Sequence, residues 1–287
     1  MRTEQEMMEL ILRVAGEDER IRAVYMNGSR ANPNAPKDRF QDFDIVYLVR
    51  ETGSFLADPG WTDVFGERLI LQCPDEMDRI LGEKTDFTQK FTYLMQFADG
   101  NRIDLRIAVW DFVREDYPAD TLVIPLLDKD GVLPPAPPTS DRLYWVRKPT
   151  EDQFFCCCNE FWWVSLYAAK GLWRRELLYA LDHLNLYIRP QLLRLLSWQA
   201  GESHGYSISV GKCCKYLDRY LPDQIWRRLL RTYPVAGVEE IWEALAETCR
   251  LFDDTAVKLA ESLGYSYNVE EARRCLEYLE KVRSACS

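Results

Sequence analysis

The stretch that decides the fold is residues 26–49, MNGSRANPNAPKDRFQDFDIVYLV. It ends in an apolar strand that carries two carboxylates, Asp42 and Asp44. Because alternate residues of a strand point to the same face, these side chains project together, about 7 Å apart along the strand. Two carboxylates on one rigid face are suited to divalent metal ions, and their burial without a cation would be costly. The pair therefore predicts a metal site.

Gly28 and Ser29 stand between this pair and an earlier apolar run at residues 21–26. A glycine directly after a strand permits a tight turn and lets backbone N–H groups approach a phosphate. The position of the two residues therefore favours a phosphate-binding turn beside the predicted metal site.

A third carboxylate, Asp104, lies on a predicted strand at residues 102–109. The apolar residues of that strand alternate and take one face, which leaves Asp104 on the other. Three such carboxylates suit metal-assisted nucleotidyl transfer, in which two metal ions clamp the attacking and leaving oxygens during displacement at phosphorus. The alternative is that these carboxylates have no catalytic role, since Asp-x-Asp pairs occur by chance and an aspartate beside a hairpin is usually solvated.

The rest of the first half combines helix and strand signals. Thr3 and Glu6 have the spacing of a helix-capping box, so the chain should open with a helix. An Asp-Gly pair at residues 98–101 predicts a hairpin. Apolar runs predict strands at residues 21–26, 43–49, 68–73, 91–97 and 102–109. This half is predicted to be α+β.

Residues 131–140, GVLPPAPPTS, mark a boundary, because a proline-rich segment suits an extended spacer better than a helix or strand. We predict a first domain at residues 1–133, a linker at 134–149 and a second domain at 150–287. The second domain should be an α-helical bundle that begins with a capping box at Thr150 and Gln153. Further helices are predicted at residues 174–198, 211–219, 222–231, 239–262 and 269–284.

The composition excludes some classes of partner. The 287 residues include 36 Lys and Arg against 46 Asp and Glu, a net charge of −10. Since affinity for nucleic acid comes from clustered basic residues, no nucleic-acid partner is expected. The nine cysteines, several of them contiguous, make a poor disulfide framework. With charges in place of a signal peptide and no apolar segment long enough to span a bilayer, the sequence predicts a cytoplasmic protein without a membrane partner.

Four longer motifs resemble one known family. They are GSRANPNAPKDRFQDFDIVYLV (28–49), LLDKD (126–130), CCNEFWWVSLYAAKGLWRRELLYALDHLN (157–185) and GYSISVGKCCKYL (205–217). Together they are similar to the aminoglycoside 6-adenylyltransferase, or streptomycin adenylyltransferase, family. That resemblance implies a polymerase-β-like nucleotidyltransferase domain with a mixed sheet, followed by an α-helical domain that faces it across the active site.

The resemblance also implies an activity: transfer of AMP from ATP to a hydroxyl of streptomycin, a cationic aminoglycoside, with Mg²⁺ required and pyrophosphate released. By the same resemblance, Asp42, Asp44 and Asp104 would form the catalytic metal site. Asp104 would also help to deprotonate the attacking hydroxyl. Arg106 shares a strand face with Asp104, and we expect an ion pair between them to compete with metal binding.

The nucleotide-binding residues implied by the resemblance lie in both halves of the chain. They are Gly28, Ser29 and Arg30, which would hold the triphosphate, with Lys170 and Lys212 reaching the phosphates from the helical domain. For each lysine the alternative is a solvated surface side chain. The residues around Lys212 resemble a phosphate-binding P-loop, but the glycine spacing and the cysteine after the lysine do not fit that motif.

Glu160 and Asp182 are the predicted acceptor-binding residues of the helical domain. Glu160 lies in an aromatic stretch where an unpaired buried carboxylate would be costly. Carboxylates are also natural bidentate partners for the two guanidinium groups of streptomycin. Trp163 in the same stretch could contact a cation, but the sequence favours a packing role for it.

Two other functions are compatible with these residues. One is an enzyme of the same fold with a different acceptor, and the other is a catalytically silent protein that binds a nucleotide. A silent protein would be expected to lose at least one carboxylate, whereas all three are present. The sequence leaves the oligomeric state open.

Overall fold

The computed structural model of this chain describes residues 1–114 and 116–285. Two compact units make up the chain, unit 1 at Met1–Leu143 and unit 2 at Tyr144–Ser287. The division falls inside the segment 134–149 assigned above to the linker, and the exact domain limits stay a prediction. Cys286 and Ser287, at the end of the predicted second domain, lie outside the described residues.

Unit 1 is built on one six-stranded sheet. Its strands are β1 (Ile21–Asn27), β2 (Phe43–Val49), β3 (Arg68–Gln72), β4 (Lys90–Phe97), β5 (Arg102–Val109) and β6 (Ile124–Asp128). They lie in the order β3-β4-β5-β2-β1-β6. Strands β2 and β5 are parallel and the other neighbours are antiparallel, so the sheet is mixed, as predicted.

In the described part of unit 1, the α-helices that accompany the sheet are α1 (Glu4–Glu17), α2 (Gly53–Leu56), α3 (Pro74–Ile80), α4 (Trp110–Val113) and α5 (Asp116–Ala119). The capping box of α1 at Thr3 and Glu6 is confirmed. Helix α1 buries Met7 and Ile11 against one face of the sheet. Val113 and Tyr117 cover part of the opposite face, which leaves its remaining part open for polar side chains.

The predicted β4–β5 hairpin is confirmed, with the backbone N–H of Phe97 donating to the carbonyl of Asn101 at 2.9 Å. Gly100 has a φ of +87°, a conformation that glycine adopts without strain. Strand β6 was not predicted. It is short and contains Pro125, which an edge strand tolerates because one side of its backbone needs no ladder partner.

Unit 2 is helical throughout its regular elements, as predicted. The helices are α6 (Glu151–Trp173), α7 (Leu177–Asp182), α8 (Arg189–Ser203), α9 (Asp223–Arg231), α10 (Val238–Leu263) and α11 (Val269–Ser284), with a π-helical turn at His183–Ile188. The rings of Phe161 on α6 and Phe252 on α10 stack at 3.6 Å in the core. Among the helices of the described residues, none combines the length and apolar character needed to cross a membrane.

The predicted helix at residues 211–219 is wrong. The chain there forms two single 3₁₀ turns, Lys212–Cys214 and Leu217–Arg219. Cys213 and Cys214 have φ values of 56° and 59°, in the left-handed region that a right-handed helix does not use. Lys212 therefore lies in a turn and not at the start of a regular helix.

Replacing Thr150 with alanine should lower the free energy of unfolding of unit 2 by about 1 kcal/mol. The Thr150 hydroxyl accepts a hydrogen bond from the Gln153 N–H at 3.2 Å, and the Gln153 side chain accepts one from the Thr150 N–H at 3.0 Å. Urea unfolding followed by circular dichroism measures the loss. Thr150→Ser keeps the cap and is the matched control; an equal loss in both variants would contradict this explanation.

Candidate active site

Strand pairing brings the three predicted carboxylates of unit 1 together. Asp44 on β2 lies in register beside Asp104 on the parallel strand β5, so both side chains share one face of the sheet. Asp42 directly precedes β2, two residues from Asp44. The other face of β2 and β5 carries the apolar core, which fixes both strands and therefore the spacing of the carboxylates.

Gly28 follows β1 and faces Asp44. It has a φ of +75° and opens a 3₁₀ turn at Gly28–Ala31. A Cβ atom at this position would lie 2.0 Å from Oδ2 of Asp44, so a larger residue would displace the carboxylate. Ser29 is half-buried in the same turn, and its hydroxyl accepts a long hydrogen bond of 3.5 Å from Gln41. The predicted turn therefore exists and touches the carboxylate site.

The Arg30 side chain is buried and engaged with protein groups. Its Nε donates to the carbonyl of Asp42 at 3.1 Å and its Nη2 to the carbonyl of Gln41 at 2.8 Å. Its guanidinium lies 3.8 Å from the Phe43 ring centre and pairs with Glu4 at 3.1 Å. Arg30 thus holds the backbone that leads into Asp42. Contact between Arg30 and a triphosphate stays a prediction.

The cation that pairs with Asp104 is Arg102. Its Nε and Nη2 donate to the two carboxylate oxygens of Asp104 at 2.7 and 2.8 Å, and Nε also lies 3.6 Å from Asp42. The expected pair between Asp104 and Arg106 is therefore wrong. Both arginines lie two residues from Asp104 on its face of β5, so spacing alone could not distinguish them.

The Asp44 carboxylate lies in an environment that disfavours its charged form. Burial raises its pKa to about 6, and the nearby charges of Asp104 and Asp42 act in the same direction, against smaller opposing effects of Arg102 and Arg30. Within the described residues the carboxylate has no hydrogen-bond or ion-pair partner. A positive charge beside Asp44 would relieve this cost.

These residues have the donor chemistry of a site for a hard divalent cation. Carboxylate oxygens are the donors that Mg²⁺ prefers, and the space that a side chain at Gly28 would fill lies against one of them. Within residues 1–114 and 116–285, no group of three or more acidic, histidine or cysteine side chains is arranged so that it could hold a metal ion as it stands. Arg102 occupies both oxygens of Asp104, so full use of that carboxylate by a cation requires the arginine to move.

In unit 2, the predicted acceptor and phosphate residues are all exposed. Glu160 lies on the solvent side of α6 and Asp182 at the end of α7. The argument that Glu160 is a costly buried carboxylate is therefore wrong, because its aromatic neighbours on α6 divide between two sides of the helix. Lys170 and Lys212 are exposed as well. Binding of the acceptor by Glu160 and Asp182, and of phosphates by Lys170 and Lys212, stays a prediction.

An aromatic surface on unit 2 was missed by the sequence analysis. It consists of Trp163, Tyr167, Tyr179, His183 and Tyr187, whose rings meet in a chain of contacts with centres 4.0 to 6.1 Å apart. The packing role predicted for Trp163 is wrong, since 59% of its surface is exposed. The four-residue spacing of these aromatics, 163 to 167 and 179 to 183 to 187, was the available signal.

The aromatic surface already accommodates a cation. The Lys170 ammonium lies 5.4 Å from the centre of the Tyr167 ring, within the range of a cation–π contact. His183 lies in the π-helical turn, a feature that often occurs at functional sites. Its ring is fixed by a 2.7 Å hydrogen bond between Nδ1 and the carbonyl of Tyr179.

Comparisons with known proteins identify similar chains. The sequence model of the family described as streptomycin adenylyltransferase matches residues 1–282. An aminoglycoside 6-adenylyltransferase of Bacillus subtilis (strain 168) is 44% identical over 271 residues, which cover 93% of each chain. One of Campylobacter jejuni is 42% identical over 93% of this chain and 91% of its own. A solved aminoglycoside 6-adenyltransferase from Bacillus subtilis is 38% identical over 99% of each chain, with a TM-score of 0.49.

Replacing Asp44 with asparagine should stabilise the metal-free protein at neutral pH. The folded pKa of Asp44, about 6, exceeds its ordinary value of 3.8. The folded state therefore holds this proton more tightly than the unfolded state, and the charged carboxylate destabilises the fold increasingly as pH rises from about 4 to 6. Above pH 6 the gain in Asp44→Asn should approach about 3 kcal/mol.

The measurement is urea unfolding of both proteins between pH 4 and 8 with a chelator present. The difference in unfolding free energy at pH 4 is the internal reference, because the wild-type carboxyl is then largely protonated in the folded state. A difference that does not grow between pH 4 and 7 would contradict the raised pKa.

Proposed function

The chain belongs to the streptomycin adenylyltransferase family and is a nucleotidyltransferase, and we propose that it transfers AMP from ATP to a hydroxyl of streptomycin. The observation that carries the proposal is the register of Asp44 beside Asp104, with Asp42 adjacent and the Gly28 turn against them. Three carboxylates with too little positive charge around them are suited to bind a metal-complexed polyphosphate. The transfer would inactivate the antibiotic and confer resistance.

The reaction is a displacement at the α-phosphorus of ATP. An acceptor oxygen forms the new P–O bond, the bond between the α-phosphorus and the bridging oxygen breaks, and pyrophosphate leaves. A bound Mg²⁺ would supply Lewis-acid stabilisation of the charge that develops on the phosphate oxygens. Asp42 and Asp44 would hold it, and Asp104 would accept the acceptor's proton once it is released from Arg102. The Gly28 turn would direct backbone N–H groups toward the phosphates.

Streptomycin is the acceptor that we propose on chemical grounds. Its two guanidinium groups match exposed carboxylates such as Glu160 and Asp182. The aromatic surface beside them offers ring faces to cations and to the apolar faces of sugar rings. The net charge of −10 would attract a polycation, so acceptor association should slow as ionic strength rises.

The activity is tested by incubating the protein with ATP labelled in the α-phosphate, Mg²⁺ and a panel of aminoglycosides. We expect a labelled AMP adduct on streptomycin, with stoichiometric pyrophosphate. An adduct on a different acceptor would replace the proposed substrate, and nucleotide binding without turnover would identify a catalytically silent protein.

Asp42→Asn and Asp44→Asn should each lower kcat by at least 100-fold while the circular dichroism spectrum stays unchanged, because each would remove a metal ligand. Asp111→Asn is the control, since Asp111 is 80% exposed on α4. Near-normal turnover in either of the first two variants would refute the assignment of that residue.

Glu160→Gln, Asp182→Asn and Trp163→Ala should raise the KM for streptomycin at least several-fold more than the KM for ATP, because each removes a proposed acceptor contact. Asp152→Asn, an exposed charge in the first turn of α6, is the matched control. Equal effects on both KM values would show that these side chains do not contact the acceptor.

A further inference from the structure

Arg106 lies on the active-site face of β5, two residues beyond Asp104. On that face it stands in register with Val46 of β2 on one side and Thr92 of β4 on the other. Alternate positions of a strand are about 7 Å apart, so Arg106 begins one side-chain row beyond the row that contains Asp44 and Asp104.

The guanidinium of Arg106 has no partner within the described residues. Its Nε is fully buried and makes no hydrogen bond, although the side chain as a whole is half-buried. Over residues 1–114 and 116–285, it makes no ion pair or contact with an aromatic ring either. A buried donor without an acceptor is destabilising, and more so when it is charged, so such a group calls for an explanation.

The guanidinium groups of the two neighbouring arginines, unlike that of Arg106, are bound to protein groups. Arg30 binds two backbone carbonyls and a phenylalanine ring, and Arg102 binds both oxygens of Asp104. Since Arg102 already occupies Asp104, that carboxylate gives Arg106 no partner. The side chains in register with Arg106, Val46 and Thr92, are uncharged.

A guanidinium in this position selects an anion as its ligand. The proposed acceptor is a polycation, which an unpaired arginine would repel. The phosphate chain of a nucleotide is a polyanion whose oxygens match the planar donor fork of arginine. A chain of phosphates held at Asp42 and Asp44 through a metal can extend along the sheet face toward the next side-chain row.

We propose that Arg106 binds the phosphate chain of the nucleotide. This proposal rests on the proposed function and assigns to the nucleotide a residue whose only expected role was to compete for Asp104. Negative charge builds up on the departing phosphates during the transfer, and a fixed guanidinium at that point stabilises it without the cost of reorienting water.

The test measures binding of ATP, ADP, AMP and adenosine by titration calorimetry in Mg²⁺ buffer without acceptor. In the wild-type protein we expect affinity to rise with the number of phosphates. Arg106→Met, which keeps the length and removes the charge, should weaken ATP binding at least 10-fold and leave adenosine binding unchanged. Arg50→Met is the matched control, because Arg50 is an exposed arginine just after β2.

A packing role for Arg106 predicts a different result. Loss of packing would weaken the binding of all four ligands alike or of none, and either result would overturn the proposal. Equal affinities of Arg106→Met and Arg50→Met for ATP would overturn it as well. Circular dichroism checks that each variant is folded. If Arg106→Met does not fold, Arg106→Gln retains a polar side chain without charge and is judged by the same four affinities.

The two proposals can fail separately. If no aminoglycoside is adenylylated but Arg106→Met still loses the phosphate-dependent part of its affinity, the acceptor assignment fails and the role of Arg106 stands. If streptomycin is adenylylated and Arg106→Met binds ATP as the wild-type protein does, the role of Arg106 fails alone.

Discussion

A buried carboxylate held beside a second carboxylate on the adjacent strand is the constraint around which unit 1 is organised. Burial makes the charge on Asp44 costly, and the parallel pairing of β2 and β5, which sets Asp44 directly beside Asp104, adds repulsion between like charges. Nothing in the apolar core requires these carboxylates, and a fold selected for stability alone would replace them. The cost is tolerable because the opposite face of the same strands is tightly packed. Stability on one side of the sheet thus allows charge to be concentrated on the other.

Three arginines near these carboxylates have three different surroundings. Arg30 is bound to the backbone before β2 and fixes where Asp42 begins. Arg102 neutralises Asp104 in a bidentate pair and restrains it when no competing cation is bound. Arg106 has no partner in the described part of the chain. The neighbours of each arginine thus determine its role: Arg30 holds backbone, Arg102 neutralises a carboxylate, and Arg106 stays available for a ligand.

Much of this arrangement could be predicted from local sequence patterns, and the remainder depends on contacts that such patterns do not encode. The alternation of apolar residues predicted β2 and β5 and the face on which Asp104 lies. The pairing that puts β5 beside β2 joins segments about 60 residues apart, and only the family resemblance indicated it. Arg102 and Arg106 are symmetrically placed around Asp104, so the choice between them required side-chain coordinates. The exposure of Glu160 and Trp163 depends on how α6 packs in unit 2.

The pairing of Arg30 with Glu4 has a practical consequence for protein engineering. Glu4 opens α1, and the preceding Arg2 binds Asp99 through its backbone and side chain and accepts a bond from Asn101. The contacts of Arg2 and Glu4 thus connect the loop before Asp42 to the tip of the β4–β5 hairpin, next to Arg102. Purification tags and reporter fusions attached before Arg2 would therefore disturb these contacts directly.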